Sequence, residues 1–260
     1  MHYVRALKES GCKYFLYENN YSIHKDIKAF ISEQLGVEPI MINSALVSAQ
    51  QRKRCYWTNI PNLKQPEDKE VYLKDILESG VALQDKSYCM TASYNGAVFW
   101  NTLQRKQRTM VIEPVIYQRP HGFNQGGIKK DKAPTLTATG RWIHNNYLVQ
   151  HIDAAPDFKR NIYTVKDCTV ICNGKSYPVN LPDGDYIARK LTPIEAERLQ
   201  TLPDNYTAGV SNTQRYKCIG NGWTVDVIAH ILKDLKSEVR KTIEAKRKRP
   251  LRTAILKRSK

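Results

Sequence analysis

Between Lys13 and Ile60 the apolar residues change period three times, and this limits the fold more than any composition does. KYFLYEN, Lys13 to Asn19, is a short aromatic run too brief for a helix and reads as a strand. Ile23, Ile27, Phe30, Ile31 and Leu35 then share one stripe of a 3.6-residue period stopped by Gly36, so residues 23–35 are predicted helical. VEPIMINS and RCYWTNI return as strands. Strand, helix, strand at this spacing is the βαβ unit of an α/β sheet, whose functional groups gather at the carboxyl ends of its strands. Two segments there carry chemistry: the lone carboxylate Glu18, and the basic knot SAQQRKR, Ser48 to Arg54. Ahead of them MHYVRALKES has helical spacing but no N-cap before Met1, so the chain is expected to begin inside a helix.

From Pro61 the pattern changes. Residues 62–188 hold short β-prone runs broken by Gly, Pro, Asn and Asp, with helical spacing only near Val71 to Glu78. Helical signals return after Arg189, where LTPIEAERLQ sets Thr192 as N-cap, Pro193 at the first helical position and Glu195 to complete a capping box. A long helix is predicted from Trp223 to Lys248, with Val227, Ile228, Ile231, Leu232 and Leu235 on one side. The expected division is an α/β part over 1–60, a smaller, mostly β domain over 61–205, a return to the first part over 206–248, and a basic tail over 249–260.

The 260 residues are 41% apolar and 25% charged, which is ordinary for a globular protein, so the informative number is the net charge of +16. It points to a polyanionic partner, because clustered Lys and Arg displace counterions from phosphates. Residues 236–260 alone hold eleven Lys or Arg against two Glu, so over half the surplus sits in a tail. The six cysteines are dispersed, with no His at ligand spacing, and indicate neither a zinc site nor a disulfide framework. Cys168 and Cys172, four apart in YTVKDCTVIC, are expected on one strand face as buried thiols. No charged-then-apolar leader and no long apolar run is present, and the expected setting is a reducing cytoplasm without membrane insertion.

Four segments, taken in order, resemble the cytosine-5 DNA methyltransferases. YENN, Tyr17 to Asn20, is similar to that family's Glu-Asn-Val motif, and Gln50, Arg52 and Arg54 match its Gln-x-Arg-x-Arg motif. RKLTPIEAERLQTLPDNY resembles its Arg-x-Leu-Thr-x-x-Glu-x-x-Arg-Leu-Gln segment, and QRYKCIGNGWTVDVIAHIL its closing Gly-Asn motif and helix. The wording around Trp57 and Trp223 leans towards the branch holding phage and vertebrate de novo enzymes. Asn20 and Gly222 stand where the family commonly has Val and Ser.

The resemblance implies a partial Rossmann-like methyltransferase sheet plus a target-recognition domain, S-adenosylmethionine as cofactor and double-stranded DNA as partner. In this chemistry an enzyme thiolate adds to C6 of a flipped cytosine, and the resulting enamine takes the methyl group at C5. Glu18 would deliver the proton at N3 and Arg54 would bind the base at O2, with Asn19, Gln50 and Arg52 supporting the pocket. Asn221 and Gly222 would border the cofactor. In the insert, Arg105, Lys106, Arg108, Lys129, Lys130, Thr135 and, after it, Arg189 are the candidates for DNA contact. The family's Phe-x-Gly-x-Gly and Pro-Cys-Gln motifs do not occur, and none of the six cysteines follows a proline. The expectation is therefore a C-terminal portion, inactive without a complementary N-terminal chain. The alternatives are a non-catalytic DNA-binding partner, and methylation of tRNA, against which the long insert speaks. Taken alone, a Glu that ends a strand is ordinarily just a solvated or ion-paired carboxylate, and QQRKR an exposed loop.

Overall fold

The computed structural model describes residues 2–114, 116–118, 127–129, 146–148, 162–233 and 235. They divide into two compact units: Met1–Ile42, Lys53–Glu67 and the chain from Val225 on, and Asn43–Arg52 with Asp68–Thr224.

The first unit is α/β. Helix α1 (His2–Ser10) leads to β1 (Leu16–Asn20), α2 (Lys25–Leu35), β2 (Ile40–Asn43) and β3 (Lys53–Thr58), and residues 225–233 are again helical. The sheet runs in the order β1-β3-β2, so the two strands of the predicted βαβ unit are not neighbours. β3 takes the centre, and its consecutive Cys55, Tyr56 and Trp57 are all buried there. Trp57 is fully buried against Ile31, Tyr17, Ile23 and Leu35, a burial that stabilises by about 1.5–3 kcal/mol for a large apolar side chain. Its indole N–H donates to Ser32 Oγ at 3.0 Å, so burial strands no donor. α2 stops where Gly36 takes a left-handed φ of 68°, as its sequence predicts. The apolar stripe of α2 is only partly covered: Ile31 is buried, whereas Ile27 and Phe30 are half exposed and line an open apolar cavity of about 320 Å³ with Tyr3, Val4 and Tyr17.

The second unit is the larger. It carries short helices α3 (Leu73–Ile76) and α4 (Phe99–Leu103), the second unpredicted, and strands β4 (Met110–Pro114), β5 (Ile116–Gln118), β6 (Gly127–Lys129), β7 (Asn146–Leu148), β8 (Ile162–Lys166), β9 (Thr169–Cys172), β10 (Lys175–Pro178) and β11 (Gly184–Lys190). These make an antiparallel sheet in the order β10-β9-β8-β11-β4 and a small one in the order β6-β5-β7. Cys168 is not a strand residue: Asp167 and Cys168 form the β8–β9 turn with φ of 49° and 54°, leaving Cys168 exposed while Cys172 is buried.

α5 (Pro193–Leu199) begins with the predicted capping box, Thr192 Oγ1 accepting from Glu195 N at 3.1 Å and Glu195 Oε2 from Thr192 N at 2.7 Å. It leads to α6 (Asn212–Asn221). The boundaries expected at residues 60 and 205 therefore fall elsewhere. Residues 43–52 belong with the second unit because Ser48 Oγ and Gln50 Nε2 both donate to Leu199 O at 2.6 Å, and α6 stays there because Tyr216 packs on Tyr94. Leu191 is held between these two phenols, its N–H donating to Tyr94 and its carbonyl accepting from Tyr216 at 2.7 Å each. Burial pushes the Tyr216 phenol up to about 12 and Tyr94 higher still, so both remain neutral donors at any physiological pH.

Two tests follow from this packing. A Cβ on Gly220 would lie 2.2 Å from the Thr91 carbonyl carbon, backbone that cannot swing aside. Gly220→Ala is expected to lower stability by about 1–3 kcal/mol or more, read as a fall in urea midpoint. Glu197, fully buried in its side chain, is pushed up by burial but pulled further down by hydrogen bonds from Thr207 and Arg215, so its carboxyl sits below the ordinary value. A depressed folded-state value means that its contribution is present above the unfolded value of about 4.3 and is lost as pH falls through the lower folded one. Urea midpoints measured from pH 6 to pH 3 should fall less steeply in Glu197→Gln than in the unaltered chain.

Candidate active site

Glu18 and Arg54 meet in the first unit because of strand register. β1 and β3 are antiparallel with Glu18 opposite Tyr56 and Asn20 opposite Arg54, so Glu18 and Arg54 are diagonal neighbours on one face of the sheet. Arg54 Nε lies 2.9 Å from Glu18 Oε1, and each side chain is only 14% exposed. Arg54 Nη1 also donates to the Lys53 carbonyl at 2.9 Å. A carboxylate and a planar fork of donors, mostly withdrawn from water and fixed by backbone pairing, form a unit able to grip a polar heterocycle by two edges. Asn19 follows in the same strand, with its Nδ2 3.5 Å from the Tyr17 hydroxyl and its Oδ1 accepting from Asn20 N at 2.8 Å.

Gln50 and Arg52 belong to the second unit and are both buried. Gln50 Oε1 accepts from Met90 N at 3.2 Å, and its Nε2 donates to Gln200 Oε1 at 2.9 Å as well as to Leu199 O. Arg52 points its guanidinium at the end of α6, Nη2 donating to Gly222 O at 2.9 Å and Nη1 to Met90 O at 3.1 Å and Gly220 O at 3.5 Å. The last carbonyls of any helix lack intrahelical partners and carry partial negative charge. α6 has no basic residue in its own last turn, and Arg52 supplies the cation instead. Asn221, between these carbonyls, is exposed, and Trp223 beyond it is half exposed. An exposed amide with an exposed aromatic ring two residues on is the kind of side-chain pair that suits a nucleoside. Gln200, which the sequence reading did not single out, is wholly buried in the same network. Its signal was the glutamine that closes LTPIEAERLQ, a type seldom buried unless every polar atom is used.

Of the residues expected on DNA, Lys106 is exposed, and Arg105 lies over the Trp100 ring at 4.3 Å. Arg108 is instead a strut, donating to Gly96 O at 3.1 Å and Ser93 Oγ at 3.0 Å across its own loop. Lys129 is placed in β6 by its backbone, and Lys130 and Thr135 lie outside the described residues. Arg189 is enclosed by carboxylates. Its guanidinium is 16% exposed and closed by Glu113 at 2.6 Å, by both Glu195 oxygens at 2.8 Å and by Ser79, a set that ties β11 to β4 and α5. Burial alone pushes Arg189 down, and the bonds to Glu195 and Glu113 more than reverse it, so it sits above the ordinary arginine range. Sequence could not reveal this, because Glu113 is brought to Arg189 only by the β11–β4 pairing. Among the described residues no helix is long and apolar enough to cross a membrane.

A family model described as C-5 cytosine-specific DNA methylase matches residues 1–237. The chain is 51% identical over 47 residues to the type II methyltransferase M.Sau3AI of Staphylococcus aureus, 18% of this chain and 11% of that protein. It is 46% identical over 55 residues to the orphan methyltransferase M.SPRI of Bacillus phage SPR, 19% and 12%, and 40% identical over 52 residues to the DNA (cytosine-5)-methyltransferase DRM2 of rice, 18% and 9%. The matched stretch thus spans about a tenth of the length of these relatives. Among solved structures, a methyltransferase of Entamoeba histolytica covers 87% of this chain and 63% of its own, with a TM-score of 0.46 and 16% identity.

The different fates of two cations give a stability test. Arg189→Met removes the cation that lies between two enclosed carboxylates and is expected to cost about 3–5 kcal/mol in denaturant unfolding. Lys106→Ala, on an exposed loop, is expected to stay within about 0.5 kcal/mol of the unaltered chain.

Proposed function

The chain belongs to the C-5 cytosine-specific DNA methylase family, and on that premise we propose that it supplies the carboxylate and base-orienting half of a DNA (cytosine-5) methyl transfer. The observation that carries this reading is the enclosed Glu18–Arg54 pair at 2.9 Å on adjacent strands. Glu18 delivers a proton at N3 of a flipped cytosine while Arg54 holds O2 and offsets the charge that develops there. The strand register holds both groups on one face of the sheet, so a base that enters against that face meets the carboxyl and the guanidinium together. Gln50 and Arg52 brace the chain that leads into β3. Asn221 and Gly222 border S-adenosylmethionine, which when bound supplies the methyl group. Arg105 and Lys106 contact DNA phosphates, and the second unit carries the recognition of the target sequence.

None of the six cysteines follows a proline, which supports assigning the nucleophilic thiolate to residues outside this sequence, supplied in the test below as a complementary polypeptide bearing Pro-Cys-Gln and Phe-x-Gly-x-Gly. The half-exposed Ile27 and Phe30, beside the edge strand β1, offer that polypeptide an apolar surface and an open ladder of backbone donors and acceptors.

The test is reconstitution. Mixing the chain with the complementary polypeptide is expected to transfer tritiated methyl groups to DNA and to trap a covalent adduct on DNA containing 5-fluorocytosine. Glu18→Gln should lower the transfer by about 10²–10⁴-fold, the range for loss of a positioned general acid. Incorporation that stays at background with both chains folded contradicts the reading and favours a non-catalytic DNA-binding role.

A further inference from the structure

Gln200 ends α5 as its C-cap, wholly buried, and every polar position of its amide is engaged. Its Oε1 accepts from Gln50 Nε2 at 2.9 Å and from Thr224 Oγ1 at 2.8 Å, while its Nε2 donates to Ile219 O at 2.8 Å and Gly222 O at 3.5 Å. Thr224 in turn accepts from Ser44 Oγ at 2.9 Å. Gln200 therefore reads the chain on both sides of Asn221. Arg52 reads it as well, through Gly220 O and Gly222 O. Three of the four carbonyls from Ile219 to Gly222, all but that of Asn221, are thus held by two buried side chains from elsewhere in the second unit, and Gly220 packs directly on the Thr91 backbone beneath. Nothing about helix α6 alone demands this, since a helix end facing water satisfies its carbonyls with solvent.

We propose that Gln200 is a positioning residue for methyl-donor binding: with Arg52 it clamps residues 219–224 so that the exposed Asn221 amide meets the donor in one fixed orientation. The inference rests on the reading of Asn221 as a cofactor-bordering residue. The amide is suited to the task where a carboxylate is not, because only an amide offers acceptors to Gln50 and Thr224 and donors to Ile219 and Gly222 at the same time. Substitution changes the set of positions open to Asn221 without altering any group on Glu18 or Arg54.

The experiment compares the unaltered chain with Gln200→Leu and the milder Thr224→Val, which removes one bond to Gln200 at nearly constant volume. Amide hydrogen exchange on the full chain is read over residues 219–224, with β8 and β9 as internal reference. Steady-state methyl transfer is then measured with the complementary polypeptide present. Gln200→Leu is expected to speed exchange at 219–224 about tenfold and to raise the KM for S-adenosylmethionine about tenfold, the loss of roughly one buried hydrogen bond, with the KM for DNA unchanged. Thr224→Val should move both in the same direction by about threefold, and it carries the test if Gln200→Leu does not fold. Unchanged exchange and unchanged donor KM overturn the proposal. So does a fall in kcat with both KM values intact, which reports only less folded protein. If the unaltered mixture fails to bind S-adenosylmethionine at all, the reading of Asn221 falls and this inference with it, an outcome separated from the others because it is seen before any substitution.

Discussion

The antiparallel register of β1 on β3 is the constraint from which the rest follows. Side chains alternate along a strand, so a slip of one residue would send Glu18 and Arg54 to opposite faces and leave two charges without partners. Register is secured by neighbours with no chemistry of their own. Trp57, opposite Tyr17, is buried with Ile31 behind it, and Thr58 Oγ1 donates to Phe15 O at 2.5 Å at the strand's end. Apolar burial fixes the position of an ion pair that would contribute little at an exposed site.

A second constraint governs the larger unit, where polar side chains are buried in pairs that satisfy one another. Gln50, Gln200, Arg52 and Thr224 are all enclosed, and each finds its partners on segments distant in sequence. Such networks are costly when broken, since each orphaned group loses water and gains nothing. They tie the loop before β3, the end of α5 and the end of α6 into one body. The motif segments of the sequence, far apart along the chain, are largely the segments that this body joins.

Much of this was legible beforehand, and the pattern of success has a physical basis. The three strands of the first unit, the Gly36 stop and the Thr192 capping box depend on local periodicity and local hydrogen bonds, which sequence records directly. That Glu18 and Arg54 share a site was expected from motif wording, and that they touch follows from the β1–β3 pairing. Strand order was not legible, because the βαβ spacing says nothing of a third strand entering between the first two. The partners of Arg189 were not legible for a related reason: only the pairing of β11 with β4 delivers Glu113 to it. Cys168 was misread because a turn of two left-handed residues, neither a glycine, leaves no composition signal. Gln200 was passed over because burial of an amide depends on partners that only the tertiary fold assembles.

The account stands on Glu18 and Arg54 acting as one device on the same base. A double-mutant cycle on the methyl transfer rate, with Glu18→Gln, Arg54→Met and their combination, addresses this without further assumptions. Shared action predicts that the double variant is within about threefold of the slower single variant, since removing either partner already disables the pair. Losses that multiply would mean that the two residues work independently, and the central claim would be wrong.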